Sequence, residues 1–497
     1  MYLNMLDICR LLDSVCVGMA AETALCKPSG AAIDSRAVTE GDLFFCLPGE
    51  KADGHDFAAA AVKKGALAVI GTRNPFAGTD APVPVILVED AVKALGAVAA
   101  AHRKTTNAVV VGVTGTSGKT SVKETLFAVL SEHGDTAKNP MNLNNQIGLP
   151  LSMCNAPEDA AYWVMEAGIS QPHDMDELGS ILQPDVALIL NAGAGHVQEL
   201  GDKGVAYYKA RLAAHLAHHA YGPEGFTVAS ADYPDLVREV SAHGKKTLWF
   251  SAEDASSPYF AEYLGPVVEG SASESTGPHG SESCSMGNFS LHLNGAGITV
   301  TAPFQGGYGA ENVAAVGAVA HALGLAEKEI TAGFAKAKLP NQRFAITHAG
   351  PYLVIDDSYN ANPLSMRRML DAAAERARSE GADLVLVLGE MGELGPESPA
   401  FHRELGKYAA SLSPKAVYWK GGQVEEVAGG LREAGYTGAF APVLDAADFA
   451  ATFAVSDVKW AVVLFKGSRS NKLEELVTAF THAAGGTGVD KGKEDAV

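Results

Sequence analysis

Residues 108–124 read "AVVVGVTGTSGKTSVKE", an apolar run followed by small residues, a lysine, a threonine and a helix-forming segment. A strand that turns through glycines into a helix presents backbone N–H groups at the positive end of the helix dipole, where phosphate oxygens bind. The turn amides are expected to point outward and unpaired. Gly115 and Gly118 allow close backbone approach, and Thr116, Ser117 and Ser121 complete the nucleotide-binding set. Lys119 offers a point charge for the β- and γ-phosphates, and the Thr120 hydroxyl a ligand for Mg²⁺. The spacing is not G-x-x-x-x-G-K-[ST], because that pattern needs glycine where this chain has Val113.

Magnesium on a triphosphate needs oxygen ligands, usually one or two carboxylates plus water. "YWVMEAG" ends an apolar strand at Glu166, and "LILNAGAGHVQ" ends another just before His196. A glutamate at a strand end is more often a solvated edge residue and a lone histidine a satisfied polar one. Two successive strands delivering both to one sheet edge favour a metal site. In "GVAYYKARLAAHLAHH", pattern alone places Lys209 and Arg211 on a solvated helix face. His215, His218 and His219 read as helix surface, since no H-E-x-x-H glutamate accompanies them.

Further along, "VIDDSYNANPLSM" sets Asp356 and Asp357 beyond a strand, suited to metal or ribose hydroxyls, with Asn360 and Asn362 suited to fixing a turn. "LPNQRF" puts Arg343 at a hinge from which closure could bring it onto phosphate. "VVLFKGSRSNK" ends a strand with Lys466, Ser468 and Arg469, an anion-binding cluster.

The elements that must position these residues are strand-like runs alternating with amphipathic helices. That pattern predicts an α/β protein built on largely parallel sheets. At about 150 residues per domain, the 497-residue chain is expected to form three domains. These are a smaller N-terminal α/β domain over 1–103, a central mononucleotide-binding sheet flanked by helices over 104–337, and a Rossmann-like domain over 338–483. A flexible tail would follow over 484–497. The Ser/Gly-rich stretch 268–288 reads as a mobile loop or insertion.

Acidic residues outnumber basic ones 58 to 38, for a net charge of −20, which argues against nucleic acid or an anionic membrane as the main partner. The opening run carries Asp7, Arg10 and Asp13, so it reads as an amphipathic helix rather than a signal peptide. No apolar stretch is long enough to span a bilayer. Six cysteines without a C-x-x-C pair point to buried reduced thiols in a cytoplasm.

Taken in order, "TGTSGKTS", "NLNNQIGLPLS", "MEAGIS", "NAGAGHV", "YYKARL", "LPNQRF" and "DDSYNANPLSM" resemble the Mur ligases. These are three-domain, ATP-dependent, amide-forming enzymes of peptidoglycan precursor synthesis, in which the shorter loop is characteristic. The likeness runs from about residue 30 to about residue 475. "DSR", "PGEKADGHDF", "DDSYNANP" and "LGEMGELG" look like the branch that adds D-Ala-D-Ala to UDP-MurNAc-tripeptide.

The resemblance implies ATP and two Mg²⁺ ions as cofactors. It implies Ser35 and Arg36 as contacts to the UDP end, and Lys119 and Thr120 on phosphate and Mg²⁺. Glu166 and His196 would hold metal, and Lys209 would be carbamoylated by CO₂ into a further metal ligand. Asn145 would lie beside the nucleotide, and Arg343 and Asp357 would close onto phosphate and ribose. Asn360 and Lys466 join the expected substrate contacts. Lys119, Lys209, His196 and Arg343 are the expected catalytic set, in a monomer. The family's H-N-x-x-N-A segment reads "ENVAAV" here, so Glu311 replaces histidine and Ala315 the second asparagine, while Asn312 remains near the adenine.

The implied chemistry is coherent. A carboxylate has no usable leaving group, so γ-phosphoryl transfer makes an acyl phosphate that the acceptor amine then attacks. Two anions must be neutralised and water excluded, which suits lysine, arginine, Mg²⁺ and a hinged domain. Alternatives are another amino-acid-adding or folate-type ligase of the same superfamily, or an ATPase switch. "DSR" and "DGHDF" in the first 100 residues disfavour the folate branch.

Overall fold

The computed structural model describes residues 1, 3–49, 52–193, 203–218, 224–267, 286–454 and 457–485. His196, His219, Cys284, most of the 268–288 stretch and nearly all of the expected tail lie outside them. The described residues form three sheets. A five-stranded sheet runs in the order Val15–Val17, Val85–Leu87, Ala68–Gly71, Leu43–Phe45, Ala31–Ala32, parallel except for its first pair.

The nine-stranded sheet carries the phosphate loop. Its strand Val109–Thr114 lies between Val186–Ile189 and Tyr162–Glu166, parallel to both, with Val113 opposite Glu166 and Thr114 opposite Ile189. After Val109–Thr114 the chain builds Thr136–Lys138 and Tyr162–Glu166 on one side. It then crosses to Val186–Ile189 on the other. Connections leaving in opposite directions open a crevice at the carboxyl ends of the strands, and this is where open α/β sheets bind ligands. These strands are buried on both faces and accordingly read as continuous apolar runs, "VVVGVT" and "VALI".

The far side of this sheet departs from the parallel expectation. Tyr259–Pro266, Gly287–Leu293 and Ala296–Ala302 form an antiparallel wing. The last two strands are joined through Asn294 and Gly295, both with positive φ (49° and 103°). Such a two-residue turn matches the twist of a hairpin.

The helix Lys119–Leu130 starts at Gly118, whose φ of 85° favours glycine. It buries Val122, Leu126, Val129 and Leu130 along one face, in a cluster that also holds Ile330 and Phe334. Gly333 makes that contact possible, because a Cβ there would come within 2.3 Å of the Val129 backbone.

The six-stranded sheet runs Ala345–Ala349, Tyr352–Asp357, Ala461–Lys466, Asp383–Gly389, Ala416–Lys420, Ala439–Pro442, parallel apart from its first pair. Asp357 and Lys466 are register partners at its carboxyl edge. The helix Pro363–Glu380 begins with Asn362 as N-cap, whose Oδ1 accepts the Ser365 N–H at 2.8 Å, and with proline in its first turn. No described helix is long and apolar enough to cross a membrane. The thiols are not uniformly buried: Cys46 and Cys154 are, whereas Cys26 is exposed.

Candidate active site

A cleft of about 490 Å³ lies between the nine- and six-stranded sheets. Its central wall includes the loop Thr116–Ser121 with Asn144, Asn145, Glu166, Tyr308 and Asn312; its opposite wall includes Arg343, Asp357, Tyr359, Asn360, Lys466 and Arg469. Among the expected phosphate, metal and nucleotide residues that are described, Gly115 and the buried Lys209 do not line the cleft.

The central wall is held by hydrogen bonds that link distant segments. Glu166 Oε2 accepts the Thr120 hydroxyl at 2.8 Å, and Oε1 accepts Asn144 Nδ2 at 2.7 Å. Its backbone is clamped by Asn139, whose Oδ1 accepts the Glu166 N–H (2.8 Å) while Nδ2 donates to the Glu166 carbonyl (3.1 Å). Lys123 is fully buried and donates to the carbonyls of Asn139 (2.7 Å) and Met141 (3.0 Å), fixing the loop that carries Asn144. Asn145 Oδ1 instead accepts the N–H groups of Ile147 (3.2 Å) and Gly148 (2.9 Å), shaping the next helix at the edge of the cleft.

The phosphate loop differs from expectation at two amides. Thr116 N–H and Ser117 N–H both donate to Asn191 Oδ1, at 3.0 and 2.9 Å, so they face inward rather than toward a ligand. A buried side-chain acceptor at the end of the neighbouring strand competes for them successfully. The amides of Lys119, Thr120 and Ser121 remain for an anion, since the first helical bond runs from the Val122 N–H to the Gly118 carbonyl at 2.8 Å. Lys119 Nζ folds back onto the Gly115 carbonyl at 2.9 Å. Burial first, and Arg343 nearby as well, hold its pKa below the usual lysine value. Asn312 Oδ1 is buried with no partner among the described residues and stands 2.8 Å from where a Cβ on Gly118 would be.

Lys209 overturns the helix-face reading, for it is only 1% exposed. It lies in a short helix, Gly204–Ala210, that also buries Ala206, Tyr208 and Ala210. Burial, then repulsion from Lys119, push the Lys209 pKa well down, with Glu166 opposing the shift. Arg211 is paired with Asp176 at 2.7 Å, and His215 shares that carboxylate at 2.8 Å. His215 is therefore a half-buried structural partner in a 3₁₀ turn rather than free helix surface.

On the opposite wall, Arg343 stacks on the Tyr359 ring at 4.3 Å, flanked by Gln342 and Phe344 with φ of 63° and 53°. Positive φ at two non-glycine residues beside an arginine that lines the cleft is the kind of strain found at binding sites. Lys466 Nζ pairs with Asp357 and donates to the Asn360 carbonyl at 3.0 Å. Asp357 also accepts the Phe344 N–H at 3.1 Å. Asp356 points away into burial that raises its pKa to about 6, and its Oδ1 accepts the Ser358 N–H at 3.0 Å. Asn362 Nδ2 reaches across to the Thr116 carbonyl at 3.3 Å.

Ser35 and Arg36 lie in the five-stranded unit and do not line this cleft. Ser35 is buried, and the exposed Arg36 side chain forks onto Asp34, with Nη2 at 2.7 Å.

Family models match in three consecutive segments: Mur ligase family, catalytic domain, over 28–103; Mur ligase middle domain over 113–320; and Mur ligase, glutamate ligase domain, over 342–485. The UDP-N-acetylmuramoyl-tripeptide--D-alanyl-D-alanine ligase of Escherichia coli K12 is 32% identical over 449 residues, spanning 90% of this chain and 92% of that protein. The chain belongs to the Mur ligase family. A crystal structure of MurF from Acinetobacter baumannii superposes on this Mur ligase with a TM-score of 0.80 at 28% identity, covering 96% of this chain and 98% of that one. A Thermotoga maritima MurF ligase solved in complex with ADP gives 0.75 at 28% identity, covering 92% and 97%.

Asn139, Asn191 and Lys123 escape a reading of motifs, because each acts by joining segments distant in sequence. Both asparagines of "NLNNQIG" line the cleft, and Asn144 rather than Asn145 reaches Glu166.

Proposed function

We propose that this Mur ligase uses ATP to join D-Ala-D-Ala to the free carboxyl of UDP-MurNAc-tripeptide through an acyl phosphate. The observation that carries this reading is likeness along nearly the whole chain to ligases of that name. The "DDSYNANP" segment supports it by supplying Asp357, Tyr359, Asn360 and Asn362 to the cleft. The three sheets are read as three domains over 1–103, 104–337 and 338–483, acting as a monomer in the cytoplasm.

The donor set fits Mg²⁺. A carboxylate and a hydroxyl converge at Glu166 and Thr120, and hard oxygen donors suit this ion. The described residues contain no group of three or more His, Cys, Asp or Glu side chains suited to a metal. Further oxygens would come from the nucleotide and from a carbamate on Lys209. Burial favours the neutral amine of Lys209, the form that can attack CO₂ with loss of a proton. Bound Mg²⁺ would neutralise charge on the transferring phosphoryl group.

Lys119 would leave the Gly115 carbonyl for the β/γ-phosphates, while the amides at 119–121 hold their oxygens. Asn312 Oδ1 would accept from the exocyclic amine of adenine. Arg343 would approach the γ-phosphate, and Asp357 the ribose. The peptide carboxylate attacks the γ-phosphorus and releases ADP. The dipeptide amine then attacks the acyl carbon, and phosphate leaves as the amide bond forms. The two walls keep water from the acyl phosphate in between. Ser35 and Arg36 are assigned to the UDP end.

Phosphate release from ATP tests the assignment. It should require both UDP-MurNAc-tripeptide and D-Ala-D-Ala, and equal release without the dipeptide would contradict a ligase.

A further inference from the structure

Glu311 stands where the family pattern has histidine, so its role in this chain must be read from its surroundings. It is 3% exposed, on the helix Gly306–Ala322 that packs over the central sheet. A carboxylate that far from water is costly unless paired. Its partner comes from the other side of the cleft: Arg368, on the helix Pro363–Glu380, donates through Nη2 to Glu311 Oε2 and also to the Tyr233 hydroxyl. Burial raises the Glu311 pKa, and Arg368 opposes that shift.

The other oxygen of Glu311 leads to the phosphate loop. Asn191 Nδ2 donates to Glu311 Oε1 at 3.4 Å and to the Ser117 carbonyl at 3.1 Å. Asn191 Oδ1 is the acceptor that turns the Thr116 and Ser117 amides inward. An amide side chain has two chemically distinct ends, so the Glu311 carboxylate and the Ser117 carbonyl, both accepting from its nitrogen end, fix its oxygen end on the Thr116 and Ser117 amides. The helix bearing Arg368 meets the same loop again through its N-cap, Asn362, at the Thr116 carbonyl.

We propose that Glu311 and Arg368 form an interdomain strut that sets the phosphate loop through Asn191, so that nucleotide affinity depends on docking of the C-terminal unit. Both are positioning residues. The inference rests on the assignment of the loop to ATP phosphate, but not on the identity of the peptide substrates.

The test is titration of the full chain with Mg·ADP, alongside KM values for ATP and D-Ala-D-Ala. Glu311→Gln keeps the shape and removes the charge; Arg368→Met keeps the stem; Arg368→Lys is the conservative control. Glu311→Gln and Arg368→Met should each weaken ADP binding and raise the KM for ATP about tenfold, and the double variant should be little worse than either single one. The KM for D-Ala-D-Ala should stay constant, and Arg368→Lys should retain most of the affinity.

Folded single variants that bind ADP like the wild type would overturn the strut, as would losses that simply add in the double variant. Should Glu311→Gln fail to fold, Arg368→Met decides by the same ADP criterion, its site being less buried. No ADP binding by the wild-type chain would overturn the phosphate-loop assignment and the strut with it. Because the titration needs no turnover, its outcome does not depend on which peptide is the substrate.

Discussion

The two walls of the cleft are built differently. On the central wall, Glu166 uses both carboxylate oxygens and both backbone groups in hydrogen bonds, and Lys123 behind it is fully buried. On the opposite wall, Arg343 and Arg469 stack on Tyr359, and Arg469 also bonds Gln342 at 2.8 Å and pairs with Glu474 at 3.8 Å. One wall is fixed before any ligand arrives, because satisfied buried polar networks are rigid. The other holds Lys466 on Asp357 but keeps its two arginines adjustable, as closure onto a nucleotide requires. Substitutions in the Glu166 network of the first wall should therefore damage metal use and chemistry, and those at the arginines of the second should damage nucleotide capture.

The largest effect is expected at Lys209. Lys209→Ala should lower turnover by about 10²–10³-fold, with partial recovery in short-chain carboxylates that occupy the place of a carbamate. Full activity without such rescue would remove Lys209 from the central wall's function. Next is Asn144→Ala, which frees one oxygen of Glu166. The Mg²⁺ concentration for half-maximal rate should rise roughly 10- to 100-fold, as for other groups that orient metal ligands. Saturating Mg²⁺ should restore most of kcat, and an unchanged Mg²⁺ requirement would show that Asn144 does not orient the metal carboxylate.

A smaller change belongs to the adjustable wall. Arg343→Ala should raise the KM for ATP about tenfold, near the worth of one charge-assisted hydrogen bond, without altering the Mg²⁺ requirement. A shift in that requirement would erase the distinction between the walls.

The smallest effect concerns stability alone. The native pKa of Asp356, about 6, lies above its ordinary 3.8. The folded state thus binds more protons between those values. The favourable contribution is complete below the ordinary pKa and is lost as pH rises through 6. Asp356→Asn should then be more stable than wild type at pH 7, by on the order of 1–3 kcal/mol, and equal to it only at about pH 3, well below the ordinary pKa. Urea unfolding at the two pH values measures this, and a pH-independent difference would contradict it.

Legibility in the sequence followed the same division. The phosphate loop and Glu166 could be read because strand, turn and helix are contiguous, and apolar runs mark where buried strands end. Lys209 was misplaced by pattern, since a helix period identifies the more polar face but not whether packing covers it. Tyr208 and Ala210 on either side are buried as well. The inward turn of the Thr116 and Ser117 amides depends on Asn191, some 75 residues away, and no local rule contains it. The antiparallel wing did leave a signal in "NFSLHLNGAGITVT", alternating residues around Asn-Gly, the usual mark of a hairpin. Glu311 is intelligible only beside Arg368, which lies 57 positions further on.

The most direct test follows the oxygen atoms. With ¹⁸O in the terminal carboxyl of UDP-MurNAc-tripeptide, one turnover with ATP and D-Ala-D-Ala should place one labelled oxygen in the released phosphate, because the carboxylate oxygen becomes the bridge of the acyl phosphate. Phosphate free of label, with the amide product formed, would contradict the account.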